Sequence, residues 1–272
     1  MITVVKRNGN RVPLDIAKIQ RQVAHCCRGI DGVSPSMIEI KAQLELHDGI
    51  HTEVIDELLL QAMVGLIDET DNPEINNVNY QYVAGRQRLS MLRKEVYGEY
   101  DPIPLYEIIK RNVDCGMYTP ELLSWYSEEE WKIIELFVDH HKDENYTFAA
   151  IAQLCEKYLV QNRTTGEIFE TPQVRYAVAA ATAFHAEPKD KRLKYVKEYY
   201  ECASDGQFTL ATPVLAGLGT TTKQFSSCVL ISSDDTLDSI FAAGEMMAKY
   251  ASKRAGIGLE IGRIRPLGSP IR

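Results

Sequence analysis

Apolar and polar positions alternate differently in three parts of the chain, and each pattern predicts a different kind of element. In TVVKRNGNRVPLDIAKIQRQVAHCC, Asn8-Gly9 sits between two apolar-rich arms, a strong short-range signal for a β hairpin. Asp15 then stands as a helix cap, and Ile16, Ile19, Val23 and Cys27 follow at helical spacing. Ser34-Pro35 opens a second helix, with Ser as cap, Pro at the first position, and Met37, Ile40 and Leu44 facing inward. Thr52 caps a third, with Ile55, Leu58, Ala62 and Leu66 inward. After the polar link DETDNPEINN the pattern predicts a fourth helix from near Tyr80 to Tyr97. Residues 1 to about 95 thus read as a small helical bundle with a β-hairpin lid.

YGEYDPIPLY, with two prolines, reads as a linker, and residues 105–210 are mostly helical in pattern. The exception is KYLVQNRTTGEIFETP, which predicts two short strands around Thr165-Gly166 and a helix QVRYAVAAATAF capped by Thr171-Pro172. DKRLKYVKEYYECAS is a further helix. From Leu210 the pattern changes again. SCVLI is a continuous apolar run, as in a strand buried on both faces. DDTLDSIFAAGEMMAKYASKRAG is a long helix with an acidic start and a basic end, which suits the helix dipole. IGLEIGRI is a second strand, so strand, helix and strand form a βαβ unit with a parallel pair. Two parallel strands do not make a stable sheet alone, so the expectation is that the chain stops within a domain.

Composition adds mainly exclusions. The chain has 272 residues, 45% hydrophobic and 25% charged, enough for one large or two smaller cores. Its net charge of -8 argues against a general nucleic-acid binder. No apolar run approaches a membrane span, and the N-terminus lacks a signal-peptide layout. Six cysteines, Cys26, Cys27, Cys115, Cys155, Cys202 and Cys228, contain no CxxC spacing. That pattern fits a reducing cytoplasm better than a disulfide framework, and supplies no zinc motif. Cys228, after two serines at the head of an apparent strand, is core filler, a nucleophile or half of a redox pair on residue type alone.

Three stretches carry a resemblance. VVKRNG with the helices after it resembles the ATP-cone, a regulatory nucleotide-binding module. LATPVLAGLGTTTKQFSSCVLISSDDTLDSI resembles the start of the catalytic barrel of class I ribonucleotide reductase large subunits, and YASKRAGIGLEIGRIRPLGSPIR the segment that continues it. Order and spacing match over the whole chain. The resemblance implies a mixed α/β fold: an ATP-cone helical bundle with a β lid at 1–95, a mainly helical domain at 96–210, and the first strands of a ten-stranded α/β barrel at 211–272. It implies a role in radical-based reduction of ribonucleoside diphosphates to deoxyribonucleoside diphosphates.

The resemblance also assigns residues. Cys228 matches one of a redox cysteine pair beside the substrate ribose. Thr212 and Ser227 match positions facing the substrate diphosphate, where small hydroxyls suit phosphate oxygens. Ala255 and Gly256 match a close approach to the substrate. Asp235, Thr236 and Leu237 match the specificity-effector site, with Arg265 and Arg272 as its phosphate-holding cations. In the cone, Lys6, Arg7, Val12, Asp15, Lys18, Thr52 and Lys94 match the ATP contacts. Three positions depart: Val12 and Pro13 stand where polar residues are common, and Asp56 where a histidine is common. An acid near a polyphosphate is repulsive.

The family pattern further requires a radical-bearing cysteine loop, the second redox cysteine, the tyrosines of the radical path and a re-reducing cysteine pair, and none is assignable in this sequence. The preferred reading is the N-terminal piece of a split large subunit, completed by a chain carrying the C-terminal portion. The expected partners are that chain, a metal-containing small subunit that supplies the radical, thioredoxin or glutaredoxin as reductant, and a second copy packed through Leu237 to Arg254; no nucleic acid, membrane, metal or covalent cofactor is expected. ATP, dATP and other deoxynucleoside triphosphates are the implied effectors. The alternatives are a regulatory nucleotide-binding module without catalysis and an inactive relic.

Overall fold

The computed structural model describes residues 2–42, 46–67, 77–253 and 255–270. The chain begins with β1 (Thr3–Val5) and β2 (Arg11–Pro13), antiparallel with Val4 opposite Val12. Gly9 turns the hairpin at a φ of 80°, open to glycine and costly for other side chains. Helix α1 (Ile16–Cys27) follows, its first turn closed by Asp15, whose carboxylate accepts from the Lys18 amide. Helix α2 (Pro35–Ala42), strand β3 (Ile50–His51) and helix α3 (Thr52–Gly65) come next. β3 pairs parallel to β1, giving the order β2-β1-β3. Helix α4 (Tyr80–Tyr97) ends at Gly98 in the left-handed region.

Four details of this bundle differ from the sequence expectation. In α2 Met37 and Ile40 point outward, and Ile38 and Ala42 are buried instead, because the i, i+4 pair one position along faces α3; Leu44 lies outside the described residues. Ile16 is exposed at the start of α1. Leu59 occupies the buried position expected of Leu58, which is half-buried. Thr52 is not the cap of α3. The chain enters that helix directly from β3, so the cap falls on His51, without a side-chain bond.

The helical body follows: α5 (Leu105–Asp114), α6 (Glu121–Trp125), α7 (Glu128–Glu135), α8 (Phe148–Gln153), α9 (Pro172–Ala183), α10 (Lys189–Ser204) and α11 (Thr212–Gly217). Ser127 and Glu130 form a reciprocal capping box on α7. A π-helical turn over Leu154–Tyr158 continues α8. The two strands expected around Thr165-Gly166 reduce to one bridge, Gln161 to Ile168, across a turn. Thr171 does occupy the cap position of α9, but its hydroxyl pairs with Tyr97 at 2.8 Å rather than with the helix. α4 packs closely on α8 at Gly85, where a Cβ would sit 2.2 Å from the Tyr146 carbonyl oxygen. Leu89, Leu92 and Val96 of α4 pack with Ile151 and Ile168. One helix therefore belongs to both the cone and the body.

The last part is β4 (Cys228–Ser232), α12 (Leu237–Ala251) and β5 (Gly256–Glu260), with β4 and β5 parallel. The expectation that β4 is buried on both faces fails. Ile231 is 7% exposed beneath α12, whereas Leu230 on the opposite face is 88% exposed and Cys228 is also exposed. Only one face of the strand pair carries a helix among the described residues.

The route into β4 is pinned to the body. Glu170 and Arg175 form a fully buried ion pair at 3.3 Å. Tyr118 donates to Glu170, and the Val160 amide does so at 2.7 Å. Arg175 also donates to the Leu218 carbonyl at 2.5 Å, and the Thr119 amide to that of Gly219 at 2.9 Å. These bonds give each buried charge a partner, with only the Arg175 Nε left unpaired, and hold the segment that leads to Ser227.

Candidate functional site

The two strands of the last unit carry one set of candidate residues at each end. At their N-terminal ends, Cys228 lies opposite Gly256 in the parallel register. The Gly256 amide donates to the Ser227 carbonyl at 2.7 Å, and the Ala255 amide to that of Tyr250 at 3.2 Å. The fold thus brings Ser227, Cys228, Ala255 and Gly256 together, with the thiol of Cys228 exposed. Thr212 stands apart, as the first residue of α11, which packs on α9 and the π-helical turn. A Cβ on Gly256 would meet only the Ser227 carbonyl, at 3.5 Å, an ordinary contact. The surrounding protein therefore does not itself demand glycine there.

At the C-terminal ends, β4 leads to Asp235 and β5 to Arg265. The Arg265 Nε donates to the Asp235 carboxylate at 2.6 Å, and its Nη1 to the Pro270 carbonyl at 2.7 Å. Thr236, not Asp235, caps α12: its hydroxyl accepts from the Ser239 amide at 3.2 Å. The Asp235 carboxylate is thereby left for Arg265. Leu237 begins the helix and is exposed. Arg272 lies outside the described residues. A neighbouring pair, Asp234 with Arg263 at 3.1 Å, was not anticipated. Its signal was present in the doubling of Asp234-Asp235 against Arg263 and Arg265.

In the cone, Lys6 leaves β1 and its backbone closes the hairpin turn, with Lys6 to Asn10 at 2.9 Å and Gly9 to Lys6 at 2.8 Å. Val12 lies in β2, half-buried opposite Val4, and presents no polar group. Asp15 caps α1 and pairs with Arg21 at 3.2 Å, while Lys18 is exposed. Thr52 begins α3. The organising residue is Asp56, which is 7% exposed. Lys94 Nζ reaches both its carboxylate oxygens at 3.0 Å, and Arg7 Nη2 approaches at 3.9 Å. Arg7 also pairs with Glu53 at 3.1 Å and donates to the Met91 carbonyl. Gln87 donates to the Asp56 carbonyl at 3.0 Å and links through Gln22 to Ser90. Two of the expected phosphate-binding cations are therefore held by internal carboxylates. Burial pushes the Cys26 thiol up to about 12, so it is a packed thiol and not a reactive one.

Among the described residues no group of three or more His, Cys, Asp or Glu is placed to hold a metal, and no helix is long and apolar enough to cross a membrane. All six cysteines are free thiols.

Comparison with known proteins gives three family matches in chain order. Residues 2–95 match the ATP cone domain, residues 144–223 the ribonucleotide reductase all-alpha domain, and residues 226–272 the ribonucleotide reductase barrel domain. Ribonucleoside-diphosphate reductase subunit alpha of Haemophilus influenzae is 43% identical over 271 residues. Subunit alpha of reductase 1 of Escherichia coli is also 43% identical, and the phage T4 subunit alpha is 40% identical, each over 271 residues. Each match covers 100% of this chain and 35% of the relative, so the chain spans about a third of the length of those proteins. With an ATP cone, an all-alpha domain and the start of a barrel domain in that order, the chain belongs to the ribonucleotide reductase large-subunit family and corresponds to its N-terminal portion.

Proposed function

We propose that this chain supplies the regulatory cone and the first part of the active site of a ribonucleoside-diphosphate reductase, with the cone at 1–95, the helical domain at 96–210 and the barrel start at 211–272. The observation that carries the reading is the strand register that sets Cys228 opposite Gly256 beside Ser227, with an exposed thiol. Cys228 is one of two thiols oxidised in turnover. A thiyl radical on another cysteine takes the 3′ hydrogen, the 2′-hydroxyl leaves as water, and the thiol pair gives up two electrons and becomes a disulfide. That two-electron oxidation balances replacement of C2′–OH by C2′–H. Ser227 and Thr212 orient the diphosphate, and Ala255 and Gly256 line the approach. The other five cysteines lie outside β4, α12 and β5, so the second thiol and the radical cysteine come from further barrel residues, supplied by a completing C-terminal portion.

Asp235, Thr236, Leu237, Arg265 and Arg272 read a deoxynucleoside triphosphate effector. Its phosphates compete with Asp235 for Arg265, and its ribose hydroxyl replaces the guanidinium as partner of that carboxylate. The two sets of residues sit at opposite ends of the same five-residue strands, about 16 Å apart by strand rise. A shift of β4 against β5 at one end is felt at the other. Lys6, Arg7, Val12, Asp15, Lys18, Thr52 and Lys94 form the ATP or dATP site. The radical comes from a separate metal-containing small subunit, electrons from thioredoxin or glutaredoxin, and a second copy packs along α12.

The test is a reductase assay on this chain alone and with the C-terminal remainder of a large subunit, with small subunit and thiol reductant present in both. Turnover only in the mixture, lost in Cys228→Ser with nucleotide binding kept, is expected. Unchanged turnover in Cys228→Ser would sink the redox role, and nucleotide binding without any turnover in the mixture would favour a regulatory module.

A further inference from the structure

A cleft of about 620 Å3 lies between the helical body and the loops that enter β4 and β5. Its floor is buried and includes Leu159, Val160, Pro213 and Thr220. Its rim carries Arg163, Lys223 and Lys253, and no carboxylate lines it. This imbalance runs against a chain with 38 acidic and 30 basic residues. Two other clefts are charge-balanced: Lys142 pairs with Asp205 in one, and Lys110 and Arg111 share the other with Glu107 and Asp114. None of the three rim side chains makes a hydrogen bond or ion pair among the described residues.

Three cations converging on a concave surface without a counter-ion focus a positive potential into it. The Thr221 and Thr222 hydroxyls at the wall add neutral donors, and the Leu159 and Val160 floor offers apolar contact. The volume is that of a small-molecule site. We propose that this cleft holds an organic polyphosphate, with its phosphates against Arg163, Lys223 and Lys253. Gln224 in its wall lies four residues before Cys228, and Lys253 three residues before Gly256. The walls therefore run directly into the strand ends that carry Ser227 and Cys228. The assignment of the ligand as a nucleoside diphosphate, held here on its way to the position oriented by Thr212 and Ser227, rests on the function proposed above; the anion site does not.

The experiment is reductive labelling of the 272-residue chain with pyridoxal 5′-phosphate and cyanoborohydride, mapped by peptide mass spectrometry. Lys223 and Lys253 should label above Lys189 and Lys191, which are exposed on α10. Inorganic pyrophosphate and cytidine diphosphate should each suppress that labelling. Arg163→Ala should raise the half-protecting pyrophosphate concentration about three- to fivefold, the scale of one exposed ion pair, and Arg163→Lys should restore it. Uniform labelling of all four lysines, or no protection by pyrophosphate, overturns the site. Protection by pyrophosphate but not by cytidine diphosphate overturns the nucleotide assignment. Neither result depends on Cys228, whose redox role is read separately by turnover.

Discussion

Helix α9 in the body and helix α12 beside the strands are both apolar in sequence, yet nine of twelve residues are buried in the first and one of fifteen in the second. The difference lies in the surroundings. α9 is enclosed by its neighbours in the body, including α10, and its two buried polar side chains, Gln173 and Arg175, are each hydrogen-bonded. α12 covers one face of a two-stranded sheet and leaves Leu237, Phe241 and Met246 in solvent. The body completes its own burial, while the barrel start presents apolar surface that suits further strands or a second copy.

The buried ion pair of the body carries the largest expected effect. Arg175→Met leaves Glu170 buried without its counter-ion and frees the Leu218 carbonyl. A loss of about 3–5 kcal/mol is expected in urea unfolding, the cost of breaking a buried pair on one side. A change below about 1 kcal/mol would mean that the segment leading to β4 is held by other contacts.

The body also carries a pH dependence, centred on a buried carboxyl. Burial raises the Asp143 carboxyl to about 7 from 3.8, against the Gln173 hydrogen bond and the nearby Arg93 charge, which both lower it. The folded protein keeps the proton that the unfolded chain has already released. Stability therefore falls as pH rises from about 4 to about 7, and levels off above that. Asp143→Asn should flatten this slope, removing a change on the order of 2–4 kcal/mol between pH 4 and 7. Parallel wild-type and variant curves would show that the group ionises in place.

In the cone, a polyphosphate on the proposed site would have to compete with Asp56 for Lys94. Asp56→Asn keeps the side-chain size and releases Lys94, while Arg7 keeps its Glu53 partner. ATP should bind about fivefold more tightly by calorimetric titration, the scale of a partly exposed ion pair. Weaker binding would mean that the carboxylate positions Lys94 for the ligand instead of withholding it.

Local chemistry made much of this fold legible. Asn8-Gly9 needs no distant partner to turn, Asp15 caps within its own turn, and α4 runs over the expected Tyr80–Tyr97. What was missed depends on remote residues. β3 is two residues long and exists because β1 lies beside it. Ile38 and Ile40 are equally apolar, so only α3 decides which is buried. The candidate residues were named through a family resemblance, and their grouping at opposite ends of β4 and β5 follows from the parallel register. Arg163, Lys223 and Lys253 are separated by sixty and thirty residues and share no motif, so only the fold assembles their cleft.

The two faces of β4 differ sharply in burial, and the exposed one should carry the smallest effect on the isolated chain's stability. Leu230→Ser alters a side chain that is 88% exposed, so the isolated chain should change by less than about 0.5 kcal/mol in urea unfolding. Ile231→Ala, one position along and 7% exposed, should cost about 2 kcal/mol because it opens a void beneath α12. Strands are two-faced, so this pair reads the two sides of β4 separately. If a further chain packs on this face, Leu230→Ser should weaken assembly by about 2 kcal/mol or more, while Ile231→Ala should keep its value. If Leu230→Ser is silent in the completed complex as well, the open face of β4 is not where the remaining barrel packs.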